Sequence, residues 1–209
     1  MRATRVAGWC GVVGPVAFTA AWLLAARRQD GYEVRHEHIS GLAAKDAVDA
    51  GIMTGGFAAL GACTIAFAWA LERRLAPRPG AGPALLGVAG VATLAAGVFR
   101  RDRRSNLPLP GEDAAIQSLE NDLHDVAATA IAVSGATALV SLARRLAADP
   151  SLADLARPAA MAALTGSGLS AWFLRDVVRP WNGIVQRASV TIPLAFIARL
   201  ALRIATEPR

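Results

Sequence analysis

The chain has 209 residues, of which 54% are hydrophobic, and its mean hydropathy is +0.39. This apolar excess is too large and too evenly spread for a water-soluble domain of that length, so we expect its solvent to be lipid. The net charge of +6 comes from short basic clusters between apolar runs, without interleaved aromatic residues or a continuous basic face. Nucleic-acid binding is therefore not expected.

The apolar runs have the length of membrane-spanning helices, which need about 20 residues to cross the hydrocarbon core. The first run is longer than the apolar region of a cleaved signal peptide, so we expect it to be retained. The fifth is short and begins at a proline, and the sixth carries arginine towards both ends. The predicted spans are 6–26, 50–71, 79–99, 126–143, 158–174 and 183–202.

These spans predict an all-α polytopic membrane protein in which residues 1–209 form a single six-helix bundle. Glycine recurs inside the spans, which indicates close helix packing. Cys10 and Cys63 both lie within apolar runs, so we expect them to be small packing residues rather than a disulfide or metal ligands.

Six crossings place both termini on one side of the membrane, together with the loops 72–78 and 144–157. The loops 27–49, 100–125 and 175–183 lie on the other side. The 22 Lys and Arg residues divide equally between the sides, so the positive-inside rule gives no orientation. Most of the 16 acidic residues lie on the second side and neutralise its cations. This favours cytoplasmic termini in a multi-pass protein of the cell membrane.

All three histidines fall on the acid-rich side, two in the first loop and one just before the fourth span. Helical spacing of apolar residues around this third histidine predicts that helix 4 begins outside the membrane. If the loops fold over the helix ends, polar side chains from four segments meet in one pocket on the outer face. The candidate pocket residues are Arg35, His36, His38, Ser40, Asp102, His124, Asp125, Gln186 and Arg187.

Three hypotheses account for this cluster. The first is a structural cap, in which Arg35, His36, Asp102 and Arg187 pair with one another. The second is a head-group site in which arginine and protonated histidine bind the phosphate of a membrane lipid. The third is a zinc site with its ligands among the histidines and a carboxylate. The zinc-ligand candidates are His36, His38 and His124.

We expect a non-enzymatic bundle that binds a lipid or a protein partner through this pocket and needs no cofactor. The alternative is a membrane-embedded metal-dependent hydrolase that acts on a lipid through zinc. A channel is not expected, because no span carries charges through its middle third.

Arg187 is the charged residue that we expect to lie deepest in the bundle. An unpaired guanidinium at the bilayer centre costs on the order of 2.5–3.5 kcal/mol, so the side chain should face the interior. Its predicted partner is Asp102 or Asp125, beneath the first loop.

The order of several short motifs resembles that of a bacterial, mainly actinobacterial, membrane-protein family catalogued as domain of unknown function 998. The resemblance implies a six-helix module with its termini inside and its polar signature on the outer face, and it supplies no activity. The family loop usually reads Arg-His-x-Ile-Ser, whereas this chain has one extra residue, so either His36 or His38 corresponds to the family histidine. The matching motifs are Gly14-Pro15, Arg35-His36-Glu37-His38-Ile39-Ser40, Gly97-Val98-Phe99 followed by Asp102, Leu123-His124-Asp125 and Gln186-Arg187.

Overall fold

The computed structural model describes residues 2–75, 80–104, 117–175 and 180–206. In these ranges the chain forms six α-helices and two short 3-10 helices, at Ile39–Ala43 and Ala153–Leu155, and no strand. The α-helices are α1 Arg2–Arg28, α2 Ala50–Leu75, α3 Ala81–Val98, α4 Leu119–Ala147, α5 Ala156–Arg175 and α6 Asn182–Thr206.

The six helices form a closed ring. Each helix packs against the next one in the chain, and α6 returns to pack against α1. Glycine allows some of these backbones to approach closely: a Cβ atom added to Gly61 on α2 would lie 2.8 Å from the carbonyl oxygen of Gly90 on α3. Small residues at helix contacts are typical of membrane bundles, where packing rather than apolar burial joins the helices.

Five of the six helices, α1 to α4 and α6, are long and apolar enough to cross a membrane. Helix α5 is the exception: it has 20 residues and carries Arg157 near its start and Arg175 at its end. Its outer face is nevertheless apolar, with Met161 and Leu164 exposed by 62% and 68%. The helices contain the predicted spans apart from the edges of 79–99, since Pro79 lies outside the described residues and α3 ends at Val98.

The outer surface of the ring is apolar along its length. The apolar side chains of Val13 on α1, Val91 on α3 and Val133 on α4 are each more than half exposed. A water-soluble bundle would place such residues inside, whereas lipid solvates them at no cost. The prediction of an all-α polytopic membrane protein is confirmed.

Ion pairs join the loops at the end of the ring where the chain termini lie. Arg74 lies 3.2 Å from Asp149, and Arg203 lies 3.3 Å from Asp154. Arg145 donates to the carbonyl oxygen of Leu75 at 2.7 Å. These contacts bring the segments at 72–75 and 144–157 together, as six alternating crossings predict. The histidine-bearing loops lie at the opposite end, which we call the outer end of the ring.

Candidate functional site

Loop 1, which we define as residues 29–49, is held over the bundle by Arg187 of α6. One amino group of Arg187 donates to the carbonyl oxygens of Val34 at 2.8 Å, Glu37 at 2.8 Å and Gly183 at 2.7 Å. The other amino group donates to the hydroxyl of Tyr32. Arg187 is buried, and these contacts satisfy a charge that would otherwise be costly inside the protein.

The prediction of a carboxylate partner for Arg187 is wrong. Within the described part of the chain, no acidic side chain forms an ion pair with Arg187, and Asp102 is instead bound to Lys45 at 2.8 Å. The physical reason is that loop 1 turns its backbone carbonyls towards the first turn of α6. A guanidinium carries five donors in a fixed fork, which suits several carbonyls converging from two segments.

Two other residues of α6 bind loop 1 through its backbone. The amide of Gly183 donates to the carbonyl oxygen of Arg35 at 3.0 Å, and the side chain of Gln186 accepts from the amide of Ile39 at 2.7 Å. A Cβ atom at Gly183 would collide with the carbonyl of Val34 and lie 2.6 Å from that of Glu37. Loop 1 therefore passes so close to α6 that only glycine fits at position 183.

A second network joins loop 1 to the start of α4. The ammonium group of Lys45 lies 2.8 Å from the carboxylate of Asp102 and 2.9 Å from that of Glu120. Asp102 also accepts hydrogen bonds from the backbone amide and the hydroxyl of Ser118, at 2.7 and 2.6 Å. Ser118 is the N-cap of α4, and its hydroxyl accepts from the amide of Asn121. The hydrogen bonds from Lys45 and Ser118 hold the pKa of Asp102 well below its usual range, and the hydrogen bonds to Asp102 and Glu120 raise the pKa of Lys45.

The basic segment after α3 clamps the backbone of loop 1. Arg100 donates to the carbonyl oxygens of Ala43 at 3.0 Å and Ala44 at 2.7 Å. Arg104 forms an ion pair with Glu37 at 3.1 Å, and its amide donates to Asp46 at 2.7 Å. These arginines thus fix the loop in place.

His38 is buried at the outer end of the ring, where its imidazole meets the edge of Phe173 with ring centres 4.6 Å apart. Its Nδ1 atom lies 3.3 Å from an amino group of Arg101. A guanidinium can only donate, so Nδ1 accepts and the proton of the neutral ring is on Nε2. Burial lowers the pKa of Arg101, and Asp125 and Asp46 oppose that effect.

His124 on α4 has the opposite arrangement. Its Nδ1 atom lies 2.9 Å from the carbonyl oxygens of both Ala96 and Phe99 at the end of α3. Carbonyl oxygens only accept, so Nδ1 carries the hydrogen, and in the neutral ring Nε2 is a hydrogen-bond acceptor. The ring of Phe57 lies 6.4 Å away in an edge-on arrangement, and only 2% of His124 is exposed.

A cavity of about 1170 Å³ runs down the centre of the ring and is lined by residues of all six helices. Its inner part is apolar, with Leu60, Leu86, Leu139 and Ile197 among the lining residues. Its outer end is polar and is closed by loop 1 and by residues 101–103 and 117–125. Four further lining residues are themselves exposed, two on α4 and two on α5, so the cavity opens to the outer surface between these helices. They are Ala128, Thr129, Ser167 and Leu174.

The structure brings six of the nine predicted pocket residues to this cavity and places three elsewhere. Arg35 stacks on Trp181 with its guanidinium carbon 3.4 Å from the ring centre. His36 pairs with Glu33 at 2.7 Å near the surface, and Arg187 is occupied by loop 1. The residues that line the cavity are His38, Ser40, Asp102, His124, Asp125 and Gln186.

A polar cap does close the outer end, but with different partners from those predicted. Arg35, His36, Asp102 and Arg187 do not pair with one another in the described structure. Each binds a neighbour that sequence reasoning had not assigned to it, because loop 1 supplies backbone carbonyls and Lys45 to the cap. The predicted cap therefore has the right place and the wrong pairs.

The histidines do not form a metal centre in the described structure. Across residues 2–75, 80–104, 117–175 and 180–206, no group of three or more His, Cys, Asp and Glu side chains is arranged to hold a metal ion. His36 lies outside the cavity, and the Nδ1 atom of His124 is engaged by carbonyls of α3. These contacts give no support to the zinc hypothesis.

Sequence reasoning missed several residues that organise the site, among them Tyr32, Lys45, Arg101 and Ser118. A signal was present for Ser118, because a serine followed by acidic residues in the first turn is typical of a helix N-cap. Tyr32, Lys45 and Arg101 carry no such local signal. They depend on how loop 1 folds over the helices.

Comparison with known proteins gives a family for this chain. A family model described as "Protein of unknown function (DUF998)" matches residues 12–203, a range that includes most of α1 and α6 and all the helices between them. No curated protein and no solved structure matches the chain. The polar motifs of this chain on which the resemblance rests lie in loop 1, after α3, at the start of α4 and in α6. By this match, the chain belongs to the DUF998 family of proteins of unknown function.

Proposed function

We propose that this protein binds an amphipathic membrane lipid in its central cavity, as a non-enzymatic lipid-binding protein. The observation that carries the proposal is the cavity itself. Its apolar interior would hold the hydrocarbon chain, and its polar outer end would hold the head group.

The size of the cavity supports a ligand of this class. Pockets for small molecules enclose roughly 300–1,000 Å³, and this cavity encloses about 1170 Å³. It is also elongated along the ring, since its lining extends from Asp102 at the outer end to Ile197 deep in α6. A lipid with one or two chains matches that shape better than a compact polar metabolite does.

The opening between α4 and α5 supports entry from the bilayer. Leu174, which lines the cavity, is 60% exposed, and Thr129 is exposed on the facing helix. A lipid diffusing in the membrane would slide its chain between the two helices while its head group stays near the interface. Such a route removes the cost of carrying the chain through water.

We further propose that the termini lie in the cytoplasm of a cell-membrane protein, so that the cavity opens towards the outer leaflet. The acidic residues that neutralise the cations around loop 1 support this orientation. A reporter enzyme fused after Arg209 tests it. Cytoplasmic activity of the fusion is expected, and activity only on the far side of the membrane would contradict the orientation.

Lipid retention in a cavity-blocking variant tests the binding proposal. Ala132 on α4 lines the cavity, so Ala132→Trp would fill part of it. Val133, the next residue, is 62% exposed and does not line the cavity, which makes Val133→Trp the matched control. Native mass spectrometry of protein purified in mild detergent should show bound lipid in the wild type and in Val133→Trp, and much less in Ala132→Trp.

Thermal unfolding of the same samples separates loss of binding from loss of folding. The proposal is supported if Ala132→Trp unfolds as cooperatively as Val133→Trp and has lost its lipid. Ala132→Phe provides a milder version of the same change if the tryptophan is not tolerated. Equal retention of lipid by well-folded wild-type and cavity-blocked protein would show that the lipid binds only to the outer surface, and the proposal would fail.

A further inference from the structure

We infer that the head group bound in this cavity is uncharged and carries a hydroxyl, which donates a hydrogen bond to Nε2 of His124. This inference rests on the proposed lipid-binding function and adds the chemistry of the ligand. It assigns to His124 a recognition role in addition to its contact with α3.

The first observation is that the ring of His124 has one engaged edge and one open edge. Nδ1 is directed at the carbonyls of Ala96 and Phe99, and Nε2 makes no hydrogen bond with any residue that the structure describes. Only 2% of His124 is exposed. Its Nε2 atom nevertheless keeps some accessible surface, because it is not one of the fully buried side-chain atoms without a hydrogen-bond partner. His124 lines the cavity, and Nε2 is the edge of its ring that no described residue occupies.

The second observation is that the amide of Asn121, the polar neighbour of His124 on α4, is already fully engaged. Asn121 is buried, and its amide group donates to Gln117 at 3.1 Å and to Asp125 at 3.3 Å. The oxygen of the same side chain accepts from the amide of Asp102 at 3.2 Å. Among the neutral side chains of α4 at this end of the cavity, His124 keeps an acceptor that no described residue occupies, and a ligand hydroxyl can donate to it.

The third observation concerns charge. The described residues at the outer end of the cavity include two arginines and two aspartates, whose formal charges cancel. They are Arg101, Arg103, Asp102 and Asp125. An anionic head group would meet the two carboxylates, and a cationic one would meet the two guanidinium groups. An uncharged head group meets no like charge, and a hydroxyl is its simplest donor.

Two kinds of membrane lipid supply an uncharged hydroxyl beside a hydrocarbon chain: glycerolipids without a phosphate, and long-chain isoprenoid alcohols. The probes are therefore a monoacylglycerol, a prenol of similar length, and the fatty acid and fatty-acid methyl ester that match the monoacylglycerol chain. An equimolar mixture is added to delipidated protein in detergent, and the retained probes are counted by native mass spectrometry.

Wild-type protein should retain a hydroxyl probe over the methyl ester by roughly threefold to tenfold, the range expected for one buried hydrogen bond. Preference for the prenol over the monoacylglycerol would assign the site to isoprenoid alcohols, and the reverse would assign it to glycerolipids. Either result supports the inference. Preference for the fatty acid, or equal retention of all four probes, would overturn it and leave the lipid-binding proposal standing. Retention of none would overturn both.

Two substitutions separate recognition by His124 from its structural role. His124→Asn keeps a side-chain donor near the position of Nδ1 and removes the acceptor at Nε2, so it should lose the hydroxyl preference while retaining its melting temperature. In His124→Gln the longer side chain brings an oxygen towards the position of Nε2, and the preference should be largely kept. His36→Asn, outside the cavity, is the control and should behave as wild type. A full hydroxyl preference in folded His124→Asn would overturn the inference.

Discussion

The guanidinium of Arg187 and the main-chain oxygen of Val34 lie 2.8 Å apart, although 153 residues separate them in the chain. This hydrogen bond joins the last helix to the first loop and closes the ring at its outer end. The same amino group also reaches the carbonyl of Glu37, so one side chain binds both ends of the turn at residues 34–37. The position of loop 1, and with it the polar end of the cavity, depends on this arginine.

Arg187→Ala should lower the free energy of unfolding by about 2–4 kcal/mol, since hydrogen bonds to a charged group contribute roughly 1.5–3 kcal/mol each and do not add fully. Arg187→Lys should recover only part of this loss, because an ammonium group cannot reproduce the planar fork. Unfolding in detergent, followed by tryptophan fluorescence, measures both variants. Arg199→Ala, an exposed arginine of the same helix, is the control and should unfold like the wild type.

Gly183→Ala should destabilise the protein or displace loop 1. The added methyl group would collide with the carbonyl oxygen of Val34 and lie 2.6 Å from that of Glu37. Both are backbone atoms that cannot easily move. Gly55→Ala in α2 is the matched control, because its Cβ would have no neighbour within 4 Å. This substitution should stabilise the helix by up to about 1 kcal/mol. Equal melting temperatures for the two variants would contradict the close passage of loop 1.

Tyr32 provides a spectroscopic test of the same region, because it is the only tyrosine in the sequence. Burial raises its pKa to about 12, and the nearby charge of Arg187 opposes this only in part. Folded protein should therefore show a single phenolate transition near pH 12 in ultraviolet absorbance. The buried neutral phenol of Tyr32 contributes to the stability of the fold. Because its pKa is raised in the folded protein, this contribution is complete below the ordinary tyrosine pKa of about 10 and is lost as the pH rises further. A transition near pH 10 in folded protein would show that loop 1 is open.

Asp102 should make the stability of the outer end sensitive to acid. Hydrogen bonds from Lys45 and Ser118 lower its pKa in the folded protein, so the stabilisation is present above the unfolded value of about 3.9 and is lost as the pH falls below it. Asp102→Asn should lower the melting temperature at neutral pH and flatten its decline between about pH 4 and pH 2. Asp122→Asn, at an exposed position in the first turn of α4, is the control. An unchanged acid decline in Asp102→Asn would remove Asp102 from the network.

Some of the site was accessible to sequence reasoning because it depends on local patterns. The start of α4 before its membrane span follows from the spacing of Leu119, Leu123 and Val126, and α4 does begin at Leu119. The placement of all three histidines at the end opposite the termini follows because successive helices cross the membrane in alternate directions. The short fifth span was also evident from the sequence, whereas the cavity that α5 lines was not.

By itself, the sequence determined the membrane environment, the six helices and the end of the bundle at which the titratable residues lie. Hydrophobic length and the need to pair every backbone group inside lipid leave few other solutions. Only the tertiary structure decided that Arg187 binds carbonyls rather than a carboxylate, that His36 lies outside the cavity, and that His124 lines it with Nδ1 bound to carbonyl oxygens of α3. These outcomes depend on contacts between segments distant in sequence, and no local spacing encodes which backbone atoms a folded loop presents to a helix.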